Sequence, residues 1–105
     1  MEQSIFDIQA DFCKAMAHPA RLQILHALRE RPMIVNEIVQ VTGFTQTLVS
    51  RQLSVLRSVG VVDYERHGTE MLYQISDESI GEVCDLVRKT LVKQFQKRSD
   101  IFTEQ

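Results

Sequence analysis

The stretch GFTQTLVSRQLSVLRSVG, residues 43–60, decides how the rest of the chain is interpreted. Its apolar residues recur with the 3.6-residue period of an α-helix, which predicts one buried stripe made of Leu48, Val49, Leu53, Leu56 and Val59. The opposite face carries donor-rich side chains and no acid: Gln46, Thr47, Ser50, Arg51, Ser54 and Arg57. Such groups can meet base edges and phosphates in the major groove of DNA. Taken alone, the pattern fits a DNA-reading helix and an ordinary surface helix equally well.

The composition restricts the class of protein. The chain has 105 residues, 44% of them hydrophobic, which suits one small globular domain over residues 1–105. Apolar runs are short and the N-terminus is acidic, so we expect no membrane span, no signal peptide and a cytoplasmic location. The net charge of −2 does not by itself indicate nucleic-acid binding. The distribution of charge matters more, because residues 45–57 and 88–98 hold basic side chains and no acid.

Three helices are predicted before residue 43. Residues 4–16 form the first, with Ser4 as its cap. Residues 19–30 form the second, with Pro19 in its first turn and Leu22, Ile24, Leu25 and Leu28 facing the core. The segment Met33-Ile34-Val35 is a short strand that pairs elsewhere. Residues 36–42 form the third helix, and with the fourth they make a helix-turn-helix over residues 36–60, joined at Gly43 and capped by Thr45.

A β-hairpin and one long helix are predicted after Gly60. Residues 61–66 and 70–75 are β-prone and flank the turn His67-Gly68-Thr69, which makes a wing over residues 61–75. Ser76 or Asp77 caps a last helix that runs to about Ser99. This helix is longer than a small domain can cover, so we expect residues 1–17 and 77–100 to be dimerisation helices. The expected fold is mainly α, with about five helices and a small β-hairpin wing.

Four segments of this chain resemble the ArsR/SmtB family of bacterial winged-helix repressors. They are KAMAHPARLQIL (14–25), VNEI (35–38), TQTLVSRQLSVLRSVG (45–60) and VVDYERHGTEMLYQI (61–75), in the family's order. The resemblance covers about residues 12–76 and is most specific in the fourth helix. It implies a homodimer, formed through the first and last helices, that binds an inverted-repeat operator in double-stranded DNA and blocks transcription.

The resemblance also implies a set of DNA contacts. The residues that match the family's groove-facing positions are Gln46, Thr47, Ser50 and Arg51, while Gln52 stands where the family usually has histidine. Arg57 and Arg66 would hold phosphates, and His67 would reach the minor groove from the wing tip. The predicted DNA-binding set is Thr45, Gln46, Thr47, Ser50, Arg51, Gln52, Arg57, Arg66 and His67.

The family's metal sites do not carry over to this chain. Ile34 and Asn36 occupy the positions where metal-sensing relatives have cysteines. In the family's second site Asp77 matches the acidic ligand, but the other ligand positions hold Ser79, Thr90 and Lys93. We therefore expect no metal and no cofactor. His18 is expected to cap a helix, and His26 to lie at the rim of the core.

Two cysteines remain as candidate sensing groups, Cys13 on the first helix and Cys84 on the last. They could form a dithiol switch that an oxidant or reactive sulfur closes, or they could bind a thiophilic metalloid. They could equally be inert small hydrophobes, since both lie on or beside apolar stripes. These alternatives stay open at the level of the sequence.

Two other functional classes compete with a DNA-binding regulator. A winged helix can serve as a protein-interaction module without DNA binding, although the acid-free face of residues 46–57 argues against this. An enzyme is not expected, because no nucleophile–base pair, phosphate-binding loop or carboxylate cluster is recognisable.

Overall fold

A computed structural model describes residues 3–103, with side chains described through Ser99, so the predicted domain limits at residues 1 and 105 lie outside the described residues. The elements are α1 (Ile5–Met16), α2 (Pro19–Leu28), α3 (Val35–Thr42), α4 (Gln46–Ser58), β1 (Val62–His67), β2 (Glu70–Ile75) and α5 (Glu78–Thr103). This architecture confirms the predicted fold class, a winged helix-turn-helix.

Short polar contacts set where the helices begin. At α1 the Ser4 hydroxyl accepts a hydrogen bond from the backbone of Asp7, whose carboxylate accepts one from the backbone of Ser4. His18 caps α2 by accepting from the backbone N–H of Ala20 at 3.2 Å, as the sequence predicts. Gly43 ends α3 in the left-handed conformation, at φ +76°, which glycine adopts without a steric penalty.

The wing is an antiparallel hairpin tied to the helical body. Its register runs from Val62 opposite Ile75 to His67 opposite Glu70. Met33 exchanges backbone hydrogen bonds of 2.9 and 2.8 Å with Tyr73, so the predicted strand of residues 33–35 is reduced to a single-residue bridge, because Ile34 precedes and Val35 begins α3. The base of the hairpin is therefore fixed to the connection between α2 and α3.

The core lies between α2, α3, α4 and the hairpin. Its most deeply buried side chains are Ile24, Met33, Ile38, Val49, Leu53, Leu56, Val61 and Val62. Two predicted core positions are wrong. Leu22 is 44% exposed, because it lies two residues from both Ala20 and Ile24 and so points to the opposite side of α2. Val59 is 38% exposed, because α4 ends at Ser58 and the helical stripe ends with it.

Helices α1 and α5 leave an apolar face uncovered. Helix α5 has 26 residues, so it is about 39 Å long. It continues to Thr103, past the predicted end near Ser99. The radius of gyration is 16.4 Å, against about 13 Å for a compact chain of this length. Large apolar side chains stand exposed along both helices: Ile5, Phe6, Ile8, Val83, Leu86, Val87, Leu91, Val92 and Phe95.

Within residues 3–103, none of the helices combines the length and the apolar character that a bilayer crossing requires.

Candidate DNA interface

Helix α4 presents two distinct faces. Val49, Leu53 and Leu56 are no more than 1% exposed and anchor the helix in the core. The other face is exposed and carries amide, hydroxyl and guanidinium groups without a carboxylate: Gln46, Thr47, Ser50, Arg51, Ser54 and Arg57. The structure therefore brings most of the predicted contact residues to one surface, held rigid by the packing behind it.

Thr45 is the N-cap residue of α4. Its hydroxyl oxygen accepts a hydrogen bond from the backbone N–H of Leu48 at 3.2 Å, as an N-cap does. The hydroxyl hydrogen remains able to donate to an acceptor such as a phosphate oxygen. Thr45 is exposed, so capping and a phosphate contact are compatible.

Gln52, one of the predicted DNA contacts, does not lie on the exposed face of α4. Its side chain is only 6% exposed, and its Oε1 accepts a hydrogen bond of 2.8 Å from Nε of Arg21 on α2. The reason is helical geometry: Gln52 lies three residues after Val49 and four before Leu56, so it belongs to the buried stripe. The sequence already contained this signal, because the 3.6-residue period places Gln52 inside.

Arg57 is held in place by an aromatic ring that the sequence reasoning missed. Its guanidinium carbon lies 4.3 Å from the centre of the Tyr64 ring on β1. Tyr64 in turn contacts the buried Tyr73 of β2, with ring centres 5.5 Å apart. Cation–π contact limits the directions in which Arg57 can point while leaving its donors free at the edge of the groove-facing surface.

The wing tip has mixed charge. Arg66 and His67 are exposed at the end of β1, as predicted. However, Nε2 of His67 lies 3.4 Å from Oε2 of Glu65, and Glu70 is opposite His67 in the hairpin. A phosphate would therefore meet two carboxylates beside the two predicted contacts, which makes the wing a weaker anion site than α4.

The turn of the wing lies beside the start of α4. A cleft of about 230 Å³ is lined by Asn36 of α3, Gln46 of α4, and Thr69 and Glu70 of the hairpin. Asn36 and Thr69 were not among the predicted contacts, and no sequence spacing connects them. The cleft brings the starts of α3 and α4 next to the turn of the wing.

Both cysteines line a single apolar cavity. It has a volume of about 410 Å³, lies between α1, α2 and α5, and is lined in part by Cys13, Phe12, Met16, Cys84 and Leu91. Cys13 is exposed and Cys84 is half-buried, and both are free thiols. Burial raises the pKa of the Cys84 thiol, and the neighbouring Asp85 carboxylate raises it further. The raised pKa leaves a smaller fraction of Cys84 as the nucleophilic thiolate at neutral pH.

An ion-pair cluster beside Cys84 joins α5 to α2. Asp85 accepts hydrogen bonds from Arg88 at 2.7 Å and from Arg29 at 3.1 Å. These two contacts, Arg88 first, hold the pKa of the Asp85 carboxyl below its usual range. Gly81 leaves the necessary room, because a Cβ there would lie 2.5 Å from Cδ of Arg29.

Two positions of the family's second metal site, Asp77 and Ser79, are hydrogen-bonded to each other. Asp77 accepts hydrogen bonds from the hydroxyl and the backbone of Ser79, and these contacts lower the pKa of its carboxyl. Among the side chains described, no three His, Cys, Asp or Glu residues lie together closely enough to hold a metal ion.

Known proteins are similar to this chain in sequence and in fold. Residues 18–64 match the family described as "Bacterial regulatory protein, arsR family". The HTH-type transcriptional regulator Rv0081 of Mycobacterium tuberculosis is 37% identical over 97 residues, which cover 91% of this chain and 85% of that protein. The crystal structure of Rv0081 superposes with a TM-score of 0.80, covering 92% of this chain and 98% of the other.

Two further relatives extend the comparison. The homodimeric winged helix-turn-helix DNA-binding domain of Mb0332 from Mycobacterium bovis, solved in solution, is 32% identical with a TM-score of 0.81, over 90% of this chain and 93% of that one. The HTH-type transcriptional repressor SmtB of Mycobacterium tuberculosis is 36% identical over 81 residues, which cover 77% of this chain and 60% of that protein.

Proposed function

Because the chain belongs to the ArsR family of bacterial regulatory proteins and is a winged helix-turn-helix transcription regulator that binds DNA, we propose that it is a homodimeric repressor of an inverted-repeat operator. The observation that carries this proposal is the exposed, acid-free face of α4, which carries Gln46 in its first turn and Arg51 near its middle. Arg can donate two hydrogen bonds to one guanine, and Gln can pair in the same way with adenine.

The exposed apolar face of α1 and α5 supports the dimer. Phe6 and Phe95 are 76% and 74% exposed, and their neighbours on the same helices are apolar as well. A second copy of the chain would cover this face, as the homodimeric Mb0332 domain suggests by its close likeness. A two-fold axis then sets two α4 helices about 34 Å apart, one turn of DNA.

Repression follows physically from such binding. A dimer that occupies an operator overlapping a promoter excludes the polymerase, and SmtB, a relative of this chain, is named a repressor. A regulator that reads chromosomal DNA would work in the cytoplasm, in line with the sequence-based expectation.

The test is equilibrium DNA binding with matched variants. A duplex selected by the parent protein from a randomised library serves as the operator probe. Arg51→Ala and Gln46→Ala should each weaken binding about 5- to 150-fold per half-site, the equivalent of one lost bidentate base contact in each subunit. Arg98→Ala, which removes an exposed charge from the far end of α5, should bind like the parent.

One result would replace this function with another. If the parent binds no duplex from the library, the winged helix serves as a protein-interaction module without a DNA function. If both α4 variants bind DNA as the parent does while the fold is intact, the protein binds DNA but α4 does not read it.

We further propose that thiol chemistry at Cys13 and Cys84 releases the repressor. The observation that favours it is the single cavity that both thiols line, at the junction of α1 and α5 with α2. With hydrogen peroxide as oxidant, the Cys13 thiolate attacks one oxygen and breaks the O–O bond, and the departing hydroxide takes up the proton that the thiol released, giving a sulfenic acid and water. The Cys84 thiolate then displaces hydroxide, and a disulfide and a second water result. Joining α1 to α5 would shift the two α4 helices relative to each other.

Operator binding before and after treatment tests this regulation. Parent, Cys13→Ser and Cys84→Ser are each exposed to hydrogen peroxide, to polysulfide or to arsenite. Loss of binding in the parent alone, reversed by a dithiol reductant, supports a switch, and the effective reagent separates redox from metalloid sensing. Equal responses in all three proteins, or none, would identify the cysteines as packing residues.

A further inference from the structure

We propose that Arg21 and Gln52 are positioning residues that fix the rotation of α4 about its axis and tie it to α1. The proposal rests on the DNA-binding function above, which it deepens by assigning a specificity role to two residues that would not touch DNA. The exposed face of α4 that carries Arg51 is called the reading face below.

The first observation is that the polar side chain of Gln52 lies in the apolar core. Among the side chains described, Gln52 is the one polar residue classed as buried, and it lies in the stripe of Val49, Leu53 and Leu56. A leucine would fill this position without requiring a hydrogen-bond partner. A buried amide instead restricts how the helix can sit, because only one orientation satisfies it.

The second observation is the partner of that amide. One guanidinium, that of Arg21, donates from Nε to Gln52 at 2.8 Å and from Nη1 to the carbonyl oxygen of Ala15 at 3.0 Å. Ala15 is 5% exposed and lies in the last part of α1. Because the guanidinium is planar and its donors have fixed directions, both bonds form only when α1, α2 and α4 keep one relative placement.

The direction of Arg51 on the reading face depends on the direction of Gln52. Gln52 and Arg51 are consecutive on α4, so a bond that fixes the direction of Gln52 also fixes that of Arg51. A helix with its side chains has a radius of about 5–6 Å, so a roll of about 10° moves a side-chain tip by about 1 Å. Base-edge hydrogen bonds do not tolerate such a shift, whereas a flexible side chain that holds a phosphate does.

The link also reaches the helix that carries Cys13. Ala15 is two residues beyond Cys13, so a displacement of α1 is transmitted through Arg21 to the buried face of α4. This route connects the dimer face and the cysteine cavity to the reading face without any contact to DNA.

The experiment separates sequence specificity from sequence-independent affinity for DNA. The probes are the duplex selected by the parent from a randomised library and a scrambled duplex of the same composition. Gln52→Leu removes the acceptor at similar volume, and Arg21→Met removes both donors while keeping an apolar stem. Each should lower the ratio of selected to scrambled affinity about tenfold, leaving scrambled-duplex affinity and the salt dependence unchanged. The double variant should lose no more than the worse single one.

The conservative variant Gln52→Glu keeps an acceptor for Arg21 and should retain the parent ratio. If Gln52→Leu does not fold, Arg21→Met and Gln52→Glu decide by the same ratio. Parent-like ratios in folded Gln52→Leu or Arg21→Met, or single effects that multiply in the double variant, would overturn the proposal. A parent that itself has no preference for any selected duplex would instead overturn the proposed function.

Discussion

At the scale of single residues, a side chain's role here follows from which side of its helix it occupies. Arg51 and Gln52 are neighbours in the sequence, yet Arg51 is exposed and Gln52 is buried, with 6% of its surface exposed. The helical period predicted the exposed set on α4 correctly. Gln52 was predicted as a DNA contact from the family resemblance, although the helical period places it inside, and Leu22 was predicted as buried because it is a leucine.

The stacking of Arg57 on Tyr64 gives a prediction about salt. Arg57→Ala should weaken binding to selected and scrambled duplexes alike and reduce the salt slope of the affinity by about one counterion per subunit. Tyr64→Leu should have a smaller effect in the same direction, because it removes the ring that restrains the guanidinium 4.3 Å away. Fluorescence anisotropy over a salt series measures both. An unchanged slope in Arg57→Ala would mean that this side chain holds no phosphate.

Asp85 gives a prediction about pH. Its pKa is lowered in the folded protein by Arg88 and Arg29, so its contribution to stability is complete above the ordinary carboxyl pKa of 3.8 and is lost as the pH falls through the folded value. The midpoint of thermal unfolding of Asp85→Asn should therefore lie below that of the parent at neutral pH, and the difference should shrink in acid. Glu82→Gln, which removes an exposed carboxylate of α5 outside this cluster, is the control. A difference that stays constant with pH would contradict the assignment.

At the scale of elements, local signals predicted most of the boundaries. Ser4, Pro19, Gly43 and Thr45 mark the helix ends for reasons of hydrogen bonding and backbone conformation that act over a few residues. Contacts between distant segments could not be predicted in this way. Arg21 and Gln52 are 31 positions apart, and only the packing of α2 against α4 brings them together.

The packing of α4 gives a prediction about stability. Leu53→Ala should lower the free energy of unfolding by about 2–5 kcal/mol, because the side chain is 1% exposed in the centre of the core. Ser54→Ala, the next residue on the exposed face, should change it by less than about 0.5 kcal/mol. Urea denaturation followed by circular dichroism measures both. A similar loss in the two variants would mean that α4 is not anchored by this stripe.

At the scale of the whole molecule, the unusual feature is how little of α1 and α5 is covered. The length of α5 predicted a second packing partner from sequence. The structure adds which side chains need it, because apolar residues along α5 from Val83 to Phe95 are more than half exposed. The position of the partner copy could not be derived from one chain.

This face gives a prediction about assembly. Leu91→Glu places a charge in the middle of the exposed stripe and should convert a dimer into a monomer, with operator affinity falling because only one α4 can then bind. Val59→Glu adds the same charge at an exposed apolar site beyond α4 and should leave the dimer intact. Sedimentation velocity distinguishes the two. A Leu91→Glu protein that sediments as the parent does would move the dimer interface elsewhere.

The central claim is that the exposed face of α4 reads a DNA sequence. Its most direct test is the ratio of the parent's affinities for the selected duplex and for the scrambled duplex at one fixed, near-physiological salt concentration. A sequence-reading dimer predicts a ratio of about 1,000 or more. A ratio near one, with both affinities falling equally as salt rises, would contradict the claim, because it would show that only phosphates are bound.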